Sequence, residues 1–300
     1  MIGTMRHLLL AIGSLLIAAN LNAQTTKEGY ALLWSNTIAV VPDSMTNGTH
    51  RLPAFTITVF ESDGNEAMDL WRAEYKPMSK ELSGSKPVKA TGVMQPAIAT
   101  TPLTILASST SDKKLGIGRL TLAFARNDSV AADEQQAAEK AMYDMAVRYN
   151  KAVVQKQITT KEKGLDKATG KQENAQADAA KLDKKSAKLN SDLKKIKAKQ
   201  GKIQANNAKL SGEIAGLEKK FQMTNNPKDL EKLAKLRSKL TSGEADLAKL
   251  MSSEAKLQGN LNKIEGDKPD AAKEEAMRTQ TREELEKELD QLRRKLNDIR

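Results

Sequence analysis

The sequence predicts an α+β N-terminal domain, a small antiparallel sheet with one packed helix, followed by a long all-α coiled-coil region forming an antiparallel helical hairpin. Three observations carry this. Aromatic residues make up 3% of the 300-residue chain, and all but Phe221 fall between residues 30 and 149, so a core of large side chains has its materials only in the first half. Within that half, short apolar runs surround a single helical pattern. In the second half, leucine and isoleucine recur every seven residues, the period of a helical seam.

The chain opens with a basic Met5-Arg6-His7, an apolar run at 8–19 and a small residue, Ala23, before Gln24. That is the plan of a secretory signal peptide over 1–23, cleaved near Ala23. The run is short of the ~20 residues that span a bilayer, so the expected mature chain is exported, periplasmic or secreted, with no transmembrane segment.

The α+β domain is expected over 24–126. Residues 30–41 suit a strand or short helix ending at Pro42-Asp43, and 55–60 alternate as a half-buried strand. Ser62-Asp63-Gly64-Asn65 supplies cap chemistry for a helix carrying Ala67, Met68, Leu70, Trp71, Tyr75 and Met78, stopped at Leu82-Ser83-Gly84. Strands are expected at 88–94, 103–108 and 115–125, the last two joined by a polar hairpin loop. Gly116 and Gly118 predict a bulge or a close backbone approach. Trp71 and Tyr75 lie one turn apart on the inner helix face and are expected in the core.

A connecting helix follows over 127–180, starting at the cap residues Asn127-Asp128-Ser129 and carrying Met142, Met145 and Tyr149 toward the sheet. Its apolar stripe fades between 159 and 180, where Gly164 and Gly170 predict an exposed helix or a hinge. From 181 to 265 the heptads define a hairpin. Leu189, Ile203, Leu210 and Leu217 occupy d positions and Leu193 and Ile214 occupy a positions. After the turn at 224–227, with Asn and Pro in capping places, Leu233, Leu240, Leu247 and Leu261 occupy a, and Leu236 and Leu257 occupy d. Folding at Asn225 opposes residues whose numbers add to 450, which sets a against d in every layer: Leu217 with Leu233, Ile214 with Leu236, Leu193 with Leu257. Five glycines in the arms each cost about 1 kcal/mol relative to alanine, so a further helix or protomer is expected to cover the seam. An amphipathic C-terminal helix at 270–300, after Gly266-Asp267-Lys268-Pro269, is one candidate to do so.

Charge is concentrated. The whole chain carries a formal +11, and residues 161–220 hold sixteen lysines against eight acids. Lys181, Lys184, Lys185, Lys188, Lys194, Lys195, Lys197, Lys199 and Lys202 lie outside the a and d seam and are the candidate partner-binding residues. They serve a solvated coiled-coil surface or an anion-seeking arm. The stretch lacks interleaved aromatics and base-reading arginines, which disfavours nucleic acid and leaves anionic envelope polymers or lipid headgroups.

The chain contains no cysteine and two histidines, His7 and His50. Disulfides, thiolate nucleophiles and sulfur-ligated metals are excluded, and no catalytic, cofactor or metal residues are assigned. His50 sits in an Asn-Gly turn. Glu61, Asp63, Asn65, Glu66 and Asp69 cluster at the helix start but lack the spacing of a calcium loop. The basic helical hairpin over about 160–265 resembles the periplasmic chaperones of outer-membrane proteins in architecture and charge. Those chaperones flank their hairpin with strands of a trimeric core, and no strand is evident here after Ile264. The expectation is an exported, non-enzymatic cell-envelope scaffold or adaptor acting through a coiled-coil arm, contacting other envelope proteins or itself. The alternative is a holdase-type chaperone or an anion-binding protein.

Overall fold

The computed structural model describes residues 29–300; the expected leader over 1–23 lies outside the described residues. The chain divides into two compact units. One holds the residues up to Asp166 together with Glu284–Arg300, and the other holds Lys167–Glu283.

In the first unit, six antiparallel strands lie in the order β1-β2-β6-β5-β4-β3. They are β1 (Val40–Asn47), β2 (His50–Phe60), β3 (Glu81–Ser83), β4 (Val88–Val93), β5 (Leu103–Asp112) and β6 (Ile117–Ala125). Helix α1 (Gly64–Tyr75) is capped by Asp63, whose carboxylate accepts the Glu66 amide at 2.8 Å. One sheet face presents Ile57, Val59, Ala90, Ile105, Leu120 and Leu122, fully or nearly fully buried, to Trp71 and Tyr75 of α1 and to Met142, Met145 and Tyr149 of the long helix α2 (Gln135–Thr224). The other face holds a smaller apolar group of Met45, Leu52, Ala54, Leu106 and Ala123. The rest of that face is threonine-rich: Thr56 and Thr121 hydroxyls meet at 2.7 Å. This is the alternation of a half-solvated antiparallel sheet.

The sheet differs from expectation at its edge. Pro42 and Asp43 do not end a segment. They sit inside β1, paired with Phe55 and Ala54, because an edge strand needs no amide donor on its outer side. The Asn47-Gly48 turn makes the hairpin instead, with Gly48 at φ 63°. Gly118 does mark a close approach: a Cβ there would collide with the Asp63 carbonyl, so the start of α1 lies directly against β6.

Helix α2 is anchored by Asn150. Its Nδ2 donates to the Thr58 carbonyl at 3.0 Å and its Oδ1 accepts the Phe60 amide at 2.8 Å, so a helix side chain completes the backbone hydrogen bonds at the end of β2. Beyond it, Val154 and Ile158 bury against Leu289 and Leu292 from the end of helix α3 (Pro227–Asp298) and against Ile299 just past it, together with Leu32.

In the second unit α2 and α3 form the expected hairpin. Thr224 ends α2, Asn225 takes a left-handed conformation at φ 46°, and Asn226 accepts the Lys228 amide through its side chain at 3.0 Å. Pro227 begins α3, where its missing donor costs nothing.

The stretch 159–180 takes the helical one of its two alternatives and is continuous within α2. One expectation needs correction: 270–300 is not a separate helix, because α3 runs through Pro269. Interior proline costs about 3 kcal/mol in an isolated helix. Here Ser186 donates to Glu265 at 2.6 Å and Lys268 meets Asp183 at 3.1 Å, so α2 holds the segment leading into Pro269. The C-terminal leucines are not spare material to cover the 181–265 seam either. Leu289 and Leu292 are buried beside Val154 and Ile158 in the first unit.

Candidate functional site

The second unit's surface is built by heptads. Of the twelve predicted seam residues, Leu193, Ile214, Leu233 and Leu261 are buried. Leu189, Ile203, Leu210, Leu217, Leu236, Leu240, Leu247 and Leu257 are half-buried. Two helices close only the centre of such a seam and leave the outer flank of most layers open.

Polar residues interrupt the seam and pair across it. Gln200 donates to Glu254 at 2.8 Å, and Arg237 meets Glu218 at 2.5 Å on the flank made by e positions. Asn207 leaves its Oδ1 buried without a partner, and Gly243 faces it directly, since a Cβ at 243 would overlap that oxygen. Gln172 donates to Thr279 at 3.3 Å further along. The Ser186 hydroxyl, with help from Lys268, holds the Glu265 carboxyl below the usual carboxylate range. Glu265 and Asp183 in turn hold the Lys268 ammonium above its ordinary value. These groups fix the register of the two helices.

The nine candidate lysines are all exposed, but they do not share one surface. Lys181, Lys188, Lys195 and Lys202 occupy c positions, and Lys185 and Lys199 occupy g, which together form one lateral side of α2. Lys184 points outward at f. Lys194 and Lys197 lie at b and e on the opposite side, where Lys197 approaches Glu254 at 3.8 Å.

The first unit contains a polar cluster that sequence reasoning missed. Lys295, 1% exposed, places Nζ 2.5 Å from Glu61 Oε2 and 2.7 Å from the Ala31 carbonyl. Gln157 donates to the same Glu61 oxygen at 2.8 Å, and Glu61 Oε1 accepts the Ala31 amide at 3.1 Å. Nearby, Lys161 Nζ lies 2.6 Å from Glu288. The acidic residues at the start of α1 are spoken for: Asp63 caps the helix, Glu66 accepts from Ser62 at 3.0 Å and pairs with Lys156, and Asp69 meets Arg72. Among the described residues, no group of three metal-ligating side chains occurs.

Trp71 and Tyr75 stack at 5.2 Å inside the core. Burial pushes the Tyr75 phenol up to about 12, and Tyr149 is raised further by the same cause. A surface depression of about 340 Å³ lies over Tyr75, where Gln95 donates to the phenol oxygen at 3.0 Å and keeps its own amide oxygen buried without a partner.

No protein-family model matches this chain, and no curated protein matches it. Among the described residues, no helix is long and apolar enough to cross a membrane.

Proposed function

We propose that this protein is an exported, non-enzymatic cell-envelope scaffold or adaptor whose helical hairpin is the element that meets a partner. The observation that carries the reading is the open seam. Eight of twelve seam leucines and isoleucines are half-buried in a two-helix arrangement, and each gains on closure the remaining part of the roughly 1.5–3 kcal/mol that burying a fully exposed side chain brings. A helix supplied by another protein, or by a second copy, completes those layers.

The flank on the e and b side favours such an approach. Most of its b positions are small, namely Ala187, Gly201, Ala208, Ala215, Ala234, Ala248 and Ala255, with Lys194, Gln222, Thr241 and Asn262 between or beyond them, and small residues let helix axes come close. The exported location rests on the leader pattern in the sequence.

The test is crosslinking and affinity capture of the full chain from the envelope of its host at ~50 mM and ~300 mM salt, where screening separates charge-led capture from docking. One partner in fixed proportion at both salts, lost when Leu210 and Leu240 are both changed to Asn, is the expected result. A broad set of unfolded envelope proteins would replace the scaffold reading with that of a holdase chaperone.

A further inference from the structure

The heptad frame of both helices separates charge between the two broad sides of the hairpin. In an antiparallel pair, g positions of one helix flank g of the other and e flank e, and the Arg237–Glu218 contact places the e side. Over 181–222 and 228–269, the c and g positions carry fifteen lysines against four acids. The b and e positions of the same residues carry Lys194, Lys197 and Arg237 against Asp183, Glu218, Glu244 and Glu265. One side is thus strongly positive and the other close to neutral.

The positive side is regular. Lysines recur at 181, 188, 195, 202 and 209 on α2, and at 228, 235, 249, 256 and 263 on α3, all exposed. Seven residues advance a helix about 10.5 Å, so the α2 lane runs for about 40 Å, with the second lane on the neighbouring helix. Three of the four acids on this side pair within their own helices: Asp192 with Lys195, Glu213 with Lys209 and Asp246 with Lys249. No ion pair engages Lys188, Lys202, Lys256 or Lys263 among the described residues, and Lys188 and Lys263 fall at the same level of the hairpin.

We propose that this two-lane lysine face docks on the surface of an anionic lipid bilayer. A flat ribbon with ammonium groups along both lanes presents many point charges to a plane at once, and each lysine near an anionic membrane surface adds to binding. The chemistry of the face favours headgroups over nucleic acid. It has no arginine for bidentate contacts and no aromatic for stacking, and a duplex, being a cylinder, meets fewer of the charges than a plane does. The inference goes beyond the scaffold reading and is independent of it, since partner-helix capture reads the seam and bilayer docking reads the lysine side.

The test is co-sedimentation of the otherwise unchanged full chain with vesicles of phosphatidylcholine alone and of phosphatidylcholine with ~30% phosphatidylglycerol, at ~50 mM and ~300 mM salt. The anionic vesicles should bind the protein at the lower salt and release it at the higher. The quadruple change Lys188→Gln, Lys202→Gln, Lys256→Gln and Lys263→Gln should weaken partition by at least about 100-fold. Changing Lys184, Lys194, Lys197 and Lys219 to Gln removes the same charge elsewhere and should leave binding within about twofold, with helical circular dichroism confirming that both variants fold. Equal losses in the two variants, equal binding to neutral vesicles, or tighter binding of a DNA duplex than of anionic vesicles at matched phosphate would each overturn the proposal.

Discussion

Lys295 and Glu61 are 234 residues apart in the chain and 2.5 Å apart in the fold, with the Lys295 side chain 1% exposed. The pair ties the end of α3 to the turn that follows β2, and its lysine also holds the Ala31 carbonyl. Glu61 itself sits at φ 53°, a left-handed conformation that costs a non-glycine residue about 1–2 kcal/mol. The surrounding hydrogen bonds hold it there.

Breaking the pair from one side leaves a carboxylate with no cation beside it. Lys295→Met is expected to cost about 3–5 kcal/mol, read by urea unfolding of the first unit through Trp34 and Trp71. The double variant Lys295→Met, Glu61→Gln removes the stranded charge and should recover a large part of that loss. A single variant within about 0.5 kcal/mol of the parent would show that the pair contributes little.

The arm glycines are expected to behave in two ways. Gly201, Gly212, Gly216 and Gly259 have open space where a Cβ would stand, so alanine at each should raise the hairpin's stability by up to about 1 kcal/mol. Gly243→Ala meets the Asn207 side chain and should gain less or lose stability. Pairing it with Asn207→Ala also removes a buried unsatisfied oxygen and should restore the gain. Thermal melting followed by helical circular dichroism separates the three cases.

Alkaline pH should unfold the first unit through its buried phenols. Tyr75 is raised to about 12 by burial, against an ordinary value of about 10. The unfolded chain therefore loses its proton first. Stability is unaffected below about 10 and is lost as pH rises from there toward the folded value, with Tyr149 shifted in the same direction. Phenolate absorbance of these two residues should rise together with the loss of tryptophan signal. Phenolate formation at 10 in the folded protein would contradict the burial.

Fold-back pairing is expected at two heights. Cysteines at Leu210 and Leu240 should crosslink in this cysteine-free chain, and so should cysteines at Gln172 and Thr279, whose side chains meet at 3.3 Å. A crosslink at the first pair but not the second would mean that α3 ends near Pro269 after all.

Much of the second unit was legible in the sequence because heptads are local. Leu189 to Leu261 name their own partners once a turn is placed at Asn225, and the structure keeps the same sum near 450 in Lys161–Glu288, Gln172–Thr279 and Ser186–Glu265. The lysine side was also present in the spacing, but it emerges only when c positions are followed on both helices, not within 181–202 alone.

What the residues determined unaided was periodicity and punctuation: the seam, the Asn-Pro turn, the Asn-Gly turn, the cap at Asp63 and the glycine that lets β6 touch α1. Each depends on neighbours within a turn or a strand. Tertiary contacts decided the rest. Pro42 became an interior residue of β1 because that strand is at an edge. Pro269 stayed within α3 although local propensity alone would end the helix there. Lys295 found Glu61, and Asn150 found the backbone of β2, through packing between distant segments, and such pairings carry no signal in the spacing of one sequence.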